Sequence, residues 1–204
     1  MISRNEAIVD LGVVGVCSAL YIGVSSFSLP IIPVIIVIVV ILIAYDRLLL
    51  RRRDETPRDL GFRCDNWQRA ARWILLPALG LVVVIVFRAM VLGYVFPAAL
   101  WLLLPLYPLW GLIQQFVFQG IVLRRLLILI DSHWIAIVIT AIWFSLVHLP
   151  DWRVCLLTLT AGLYWSWVFL KCPNIWALGL SHGILAALTY PLVLGENPVE
   201  RFFQ

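Results

Sequence analysis

Apolar segments of membrane-spanning length follow one another along almost the whole chain. They occupy residues 7–24, 29–44, 73–96, 97–127, 134–149, 154–170 and 174–194. A bilayer core takes about 20 apolar residues per helical crossing, and an open strand in lipid would leave its backbone groups unpaired. The sequence therefore predicts an all-α fold, a polytopic transmembrane helical bundle with about seven spans.

The composition leaves no room for a separate soluble domain. Of the 204 residues, 63% are hydrophobic and 13% are charged, whereas soluble proteins carry about a quarter charged residues. The net charge of +4 does not indicate nucleic acid, because eight of the fifteen basic residues lie between Arg47 and Arg72, beside spanning segments. We predict one integral membrane domain, residues 1–204, with the lipid bilayer as its partner and no nucleic-acid partner.

The basic residues also predict an orientation. Residues 45–72 form the longest hydrophilic stretch and are predicted to be a basic cytoplasmic loop, so the N-terminus is expected in the cytoplasm as well. The predicted span at residues 97–127 then brings Arg124 and Arg125 back to the cytoplasmic side. The four cysteines have neither a C-x-x-C pair nor a metal-type spacing, so we expect no disulfide framework and no zinc site.

A short set of polar residues lies inside the predicted spans, where each needs a partner or a water-filled cavity. The set comprises Asp10, Arg88, Gln114, Gln115, Gln119, His148 and His182. Gln115 lies nine residues before Arg124 and His182 lies eight after Asn174, which places both ~12 to 14 Å from the cytoplasmic boundary. His148 is ~21 Å from it. Asp10 and Arg88 lie nearer predicted span ends and are interpreted as structural.

The amides and imidazoles are therefore predicted to meet at one interior point. Gln115 and Gln119 are four residues apart and share one side of a helix, whereas Gln114 lies beside them. Two interpretations remain open: a functional cavity, or hydrogen bonds that hold the helices together at ~1 kcal/mol each.

Four motifs between residues 58 and 186 resemble those of a known family. They are Arg58-Asp59-Leu60-Gly61-Phe62, Gln114-Gln115-Phe116-Val117-Phe118-Gln119-Gly120, Phe144-Ser145-Leu146-Val147-His148, and Gly179-Leu180-Ser181-His182-Gly183-Ile184-Leu185-Ala186. In order and spacing they resemble the CPBP intramembrane proteases, the CAAX protease and bacteriocin-processing or ABI family. Its motifs are Glu-Glu-x-x-x-Arg followed by Gly, Phe-x-x-x-His, and His-x-x-x-Asn. The resemblance places a family-like core at residues 98–194.

The resemblance implies an intramembrane endopeptidase that processes membrane-bound proteins or lipidated peptides in a prokaryotic inner membrane, without a prosthetic cofactor. In the family one glutamate activates water, and the histidines and the asparagine position the reactants. In this chain Gln114 and Gln115 stand at the glutamate positions, Gln119 at the arginine and Ala186 at the asparagine, while His148, His182 and Phe144 remain. The candidate catalytic residues are Gln114, Gln115, His148 and His182, supported by Gln119, Phe144 and Ala186.

The departures leave two functions open. An amide has no useful basicity, so a peptidase would need His148 or His182 as its base. The alternative is a pseudoprotease, a membrane binding or scaffold protein that keeps the cavity without cleavage. Two histidines with amides make a poor zinc site, and we expect no metal. A transporter would need polar residues across the whole bilayer, whereas these cluster in one layer.

Overall fold

Seven helices make up the parts of the chain that the computed structural model describes, residues 2–27, 31–53, 55–94, 97–98 and 100–196. They are α1 (Arg4–Ser26), α2 (Ile31–Arg53), α3 (Trp67–Val91), α4 (Leu100–Leu129), α5 (His133–Leu146), α6 (Trp152–Lys171) and α7 (Ile175–Leu194). Five of them, α1, α3, α4, α6 and α7, are long and apolar enough to cross a membrane, and α5 and the Pro33–Leu42 part of α2 are shorter apolar helices. The predicted all-α membrane bundle is confirmed.

The segment between α2 and α3 is shorter than the predicted loop. Helix α2 continues to Arg53 and α3 begins at Trp67, so both ends of the range 45–72 are helical. The prediction ended the helix where hydrophobicity ended, but leucine and arginine are good helix formers in a polar setting too. Asp54 and the outer ends of two predicted spans, at residues 29 and 96, lie outside the described residues.

Polar side chains begin several of the helices. Ser3 and Glu6 form a reciprocal capping box at α1, Ser132 caps α5, and Asp151 caps α6 by accepting from the backbone amides of Arg153 and Val154. Each cap satisfies backbone donors that have no partner within the helix.

Helices α4 and α7 cross with almost no space between their backbones. A Cβ built on Gly111 would lie 2.6 Å from the carbonyl oxygen of Gly179, and one on Gly183 would lie 2.3 Å from the Cα of Pro108. Gly179 and Gly183 are spaced as in the small-residue motifs that allow close helix contact in membranes. The crossing holds the middle of α4 directly against the first half of α7.

Candidate functional site

The α4–α7 crossing brings together two of the predicted site residues. Gln115 follows Gly111 by one helical turn, and His182 directly precedes Gly183. Gln115 is fully buried and His182 is 5% exposed. The amide nitrogen Nε2 of Gln115 lies 3.3 Å from Nδ1 of His182. The amide group therefore donates and Nδ1 accepts, which places the hydrogen of a neutral His182 ring on Nε2.

His148 has the opposite arrangement of its ring nitrogens. It lies just after α5, and its Nδ1 is 2.8 Å from the backbone carbonyl oxygen of Phe144. Since a carbonyl oxygen can only accept, Nδ1 donates, and Nε2 of the neutral ring carries the lone pair. The two histidines thus offer one acceptor nitrogen, on His148, and one donor nitrogen, on His182.

An aromatic cluster holds both imidazoles. The ring of Phe144 packs edge-on against His148 at 5.0 Å and against His182 at 5.4 Å between centroids. Trp165 of α6 lies 4.9 Å from His182 at a shallow interplanar angle. Phe144 and Trp165 are themselves buried. These contacts restrict ring rotation and surround the polar atoms with apolar surface.

Gln119 lies one turn after Gln115 and is also fully buried. Neither its Nε2 nor its Oε1 has a hydrogen-bond partner among the described residues, and the same holds for Oε1 of Gln115 and for Oγ of Ser166 on α6. The backbone from Phe116 to Leu123 is a π-helix inside α4, a geometry that recurs at functional sites. The interior next to Gln115 therefore has unused hydrogen-bonding capacity.

The structure separates Gln114 and Ala186 from this group. Gln114 is partly buried and lines a cavity of about 70 Å³ that α1, α2 and α4 enclose together with Val147. Ala186 packs with Leu103, Tyr107 and Ala187 in an apolar cluster. Adjacent helical residues point in directions about 100° apart, which explains why Gln114 and Gln115 face different spaces.

The segment before α3 docks onto the site helices. The backbone amide of Ile175 donates to the carbonyl of Gly61 at 2.8 Å, and the Phe62 ring packs edge-on against Trp176 and at a tilt against Phe116. Asn174 caps α7 with its oxygen and donates from Nδ2 to the Arg63 carbonyl. A hydrogen bond from Arg63 lowers the pKa of the Asp65 carboxyl to about 2.

Asp10 and Arg88, interpreted as structural from the sequence, both bind distant parts of the chain. Asp10 is fully buried and accepts from Nε of Arg125 at 2.6 Å and from the Tyr45 hydroxyl at 2.7 Å. Arg125 also pairs with Glu55 at 2.5 Å. Arg88 donates to the backbone carbonyl of Leu192 at 3.0 Å.

The comparisons with known proteins concern the part of the chain that carries these motifs. Residues 96–188 match a family model described as type II CAAX prenyl endopeptidase Rce1-like. This match confirms the resemblance to the CAAX protease family. No curated protein and no solved structure matches the chain. The matched range covers most of the predicted core at residues 98–194 and contains every candidate site residue.

Within this CAAX-protease-like region, sequence reasoning missed Trp165 and Ser166. Their signal was weak: both lie in the range that matches the family model, but neither belongs to one of the four motifs. No group of three His, Cys, Asp or Glu side chains that could hold a metal ion occurs in the described ranges.

Proposed function

We propose that this chain is an intramembrane endopeptidase-like protein of the CAAX protease type that acts on lipidated or membrane-bound peptide segments, with His148 in place of a glutamate as base. The observation that carries the proposal is the complementary pair of imidazoles. His148 is fixed by the Phe144 carbonyl so that Nε2 can accept a proton, and His182 is fixed by Gln115 so that its Nε2 carries a hydrogen.

The two rings supply the parts that hydrolysis of a peptide bond requires. Nε2 of His148 takes a proton from water as the water oxygen bonds to the carbonyl carbon. The developing oxyanion accepts a hydrogen bond from Nε2 of His182. The C–N bond then breaks, and the proton on His148 passes to the leaving amine. The products are a carboxylic acid and an amine, and no metal is needed.

The cavity beside Gln114 supports a substrate with an apolar chain. Its lining is almost entirely apolar, and it reaches Val147, the residue before His148. Part of a lipid chain held there would bring an attached peptide close to the end of α5. The matching family model is described as a prenyl endopeptidase, so we expect a prenylated tail as the first substrate to test.

The test is cleavage of a farnesylated peptide by the purified protein in detergent. We expect turnover in the wild type and its loss in both His148→Ala and His182→Ala. His133→Ala serves as a matched control, because His133 is exposed at the start of α5. Turnover that survives both site substitutions would contradict the proposal.

A second function is favoured by a specific observation, the neutral amides at the positions of the family glutamates. In a binding-only protein the wild type would hold the farnesylated peptide without cleaving it, and Gln115→Glu, alone or with Gln114→Glu, would restore cleavage. A carboxylate at Gln115 would also pair with a protonated His182. Cleavage that appears only in the glutamate variants would decide for the pseudoprotease.

A further inference from the structure

We propose that Arg69, Arg72 and Lys171 form a binding site for the phosphate headgroup of an anionic phospholipid, at the membrane boundary where α3 begins and α6 ends. Trp67 is the first residue of one candidate span and Lys171 is the last residue of another. The three cations are exposed. They therefore lie at the level where lipid phosphates are found.

The site has a fixed frame. Arg69 donates from Nη1 to the backbone carbonyl of Lys171 at 3.4 Å, which joins the two helix ends. The Tyr164 hydroxyl donates to the carbonyl of Trp73 at 2.5 Å. The ring of Trp73 packs on that of Trp167 at 5.7 Å. The start of α3 and the end of α6 are thus held together by hydrogen bonds and by an aromatic contact.

Lys171 is oriented by this aromatic pair. Its ammonium nitrogen lies 4.0 Å from the ring centroid of Trp167 and 5.7 Å from that of Trp73. A cation over indole faces loses less conformational freedom when it binds an anion. Tryptophan rings at the membrane boundary also sit well among lipid carbonyl and glycerol groups.

The cluster has excess positive charge that the described residues do not neutralise. The carboxylate nearest in sequence, Asp65, is already paired with Arg58 at 2.6 Å and with Arg63 at 2.8 Å. No salt bridge joins Arg69, Arg72 or Lys171 to a described carboxylate. A phosphodiester is the complementary group, since it carries one negative charge and accepts from several donors at once.

The occupant is a lipid rather than free phosphate because the cations border apolar helix surface. Leu76 and Leu79, one and two turns after Arg72 on α3, are exposed hydrophobic residues. Acyl chains would cover this surface while the headgroup binds the cations. Free inorganic phosphate would gain only the charge contacts, which water and salt weaken.

The test is lipid binding to the purified full chain, measured by native mass spectrometry in a non-ionic detergent. Dioleoyl phosphatidylglycerol is titrated against dioleoyl phosphatidylcholine, with inorganic phosphate as competitor. We expect the triple variant Arg69→Gln, Arg72→Gln, Lys171→Gln to bind phosphatidylglycerol about a hundredfold more weakly than the wild type. The matched control, Arg4→Gln, Arg47→Gln, Arg88→Gln, removes the same charge at exposed positions elsewhere and should bind normally.

Three outcomes would overturn the site: equal binding of the two lipids, equal loss in the control variant, or displacement of the lipid by millimolar inorganic phosphate. If the triple variant does not fold, the charge-conserving variant Arg69→Lys, Arg72→Lys and the single variant Lys171→Gln replace it. The first should keep the preference for phosphatidylglycerol and the second should weaken it. The opposite pattern would reject the proposal.

Discussion

The amide of Gln119 is a buried polar group one helical turn after Gln115, and neither of its polar atoms is bonded to a described residue. Leaving such a group without a partner costs about 1–3 kcal/mol. Methionine has a similar shape and no strong donor or acceptor. We expect Gln119→Met to raise the free energy of unfolding by about 1 kcal/mol, seen as a higher unfolding midpoint in detergent at a fixed scan rate.

Thr140→Val is the matched control for this substitution. Thr140 is also fully buried, but its hydroxyl donates to the Ala136 carbonyl at 2.8 Å. Removing that satisfied group should not stabilise the protein. A lower unfolding midpoint in Gln119→Met would mean that the amide is hydrogen-bonded in the folded protein, and the unsatisfied interpretation would be wrong.

For single residues, the sequence predicted which ones lie close together. It did not predict how their side chains are oriented. Counting residues from the span ends placed Gln115 and His182 in one layer, and the structure brings them to 3.3 Å. The same argument could not separate Gln114, because a polar residue beside the site has the same depth as one within it. The hydrogen positions on His148 and His182 depend on the Phe144 carbonyl and the Gln115 amide, which only the fold brings close.

The crossing of α4 and α7 is the element contact that creates the Gln115–His182 pair. A Cβ on Gly183 would lie 2.3 Å from both the Cα and the N of Pro108, and backbone atoms cannot move aside as a side chain can. We expect Gly183→Ala to destabilise the protein by about 1–3 kcal/mol or more. Unfolding midpoints of the variant and the wild type in the same detergent would measure this loss of stability.

Gly80→Ala is the control for the crossing. Gly80 lies within α3, and an added Cβ there would meet no atom within 4 Å. Because alanine has the higher helix propensity, this substitution should be neutral or slightly stabilising. Similar effects of the two substitutions would show that helix propensity, and not close packing, decides the outcome at Gly183.

Asn174 uses one side-chain atom to cap α7 and another to bind the segment that precedes α3. Its oxygen caps α7 through the Ala177 amide, whereas its Nδ2 donates to the Arg63 carbonyl and to Oδ1 of Asn66. Asn174→Asp keeps the cap and removes the donor. We expect faster hydrogen exchange at the amide of Phe62 with little change at Ala177, whereas Asn174→Ala should increase exchange at both. Equal exchange in the two variants would contradict this division of roles.

Helix positions were predictable from the apolar runs, but two features of the elements were not. Helix α2 extends to Arg53 beyond its apolar residues, since helical hydrogen bonding does not stop where lipid stops. The π-helix at Phe116–Leu123 has no sequence signal of its own. Within it the Leu60 carbonyl approaches Gly120, where an added Cβ would lie 2.9 Å away, and this contact forms only in the folded chain.

Across the whole molecule, one buried charge cluster ties the N-terminal helices to the family-like region. Arg125 of α4 pairs with Asp10 of α1 and with Glu55 after α2, and the three side chains are 3%, 0% and 10% exposed. Residues 96–188, which match the family model, supply the cation, and both carboxylates come from outside that range. The cluster therefore holds α1 and α2 against α4, where they form two walls of the cavity beside Gln114.

Removing the cation should cost more than removing either anion. Arg125→Met leaves two buried carboxylates facing each other, and breaking a buried pair typically costs about 3–5 kcal/mol. Asp10→Asn keeps the Tyr45 hydrogen bond and the Arg125–Glu55 pair, so its cost should be smaller. The triple variant Arg125→Met, Asp10→Asn, Glu55→Gln should recover much of the lost stability, since it removes these three buried charges together. The measurement is the unfolding midpoint of these three variants, with the exposed Arg4→Gln as control. A triple variant less stable than Arg125→Met would mean that Arg125 contributes packing and not charge pairing.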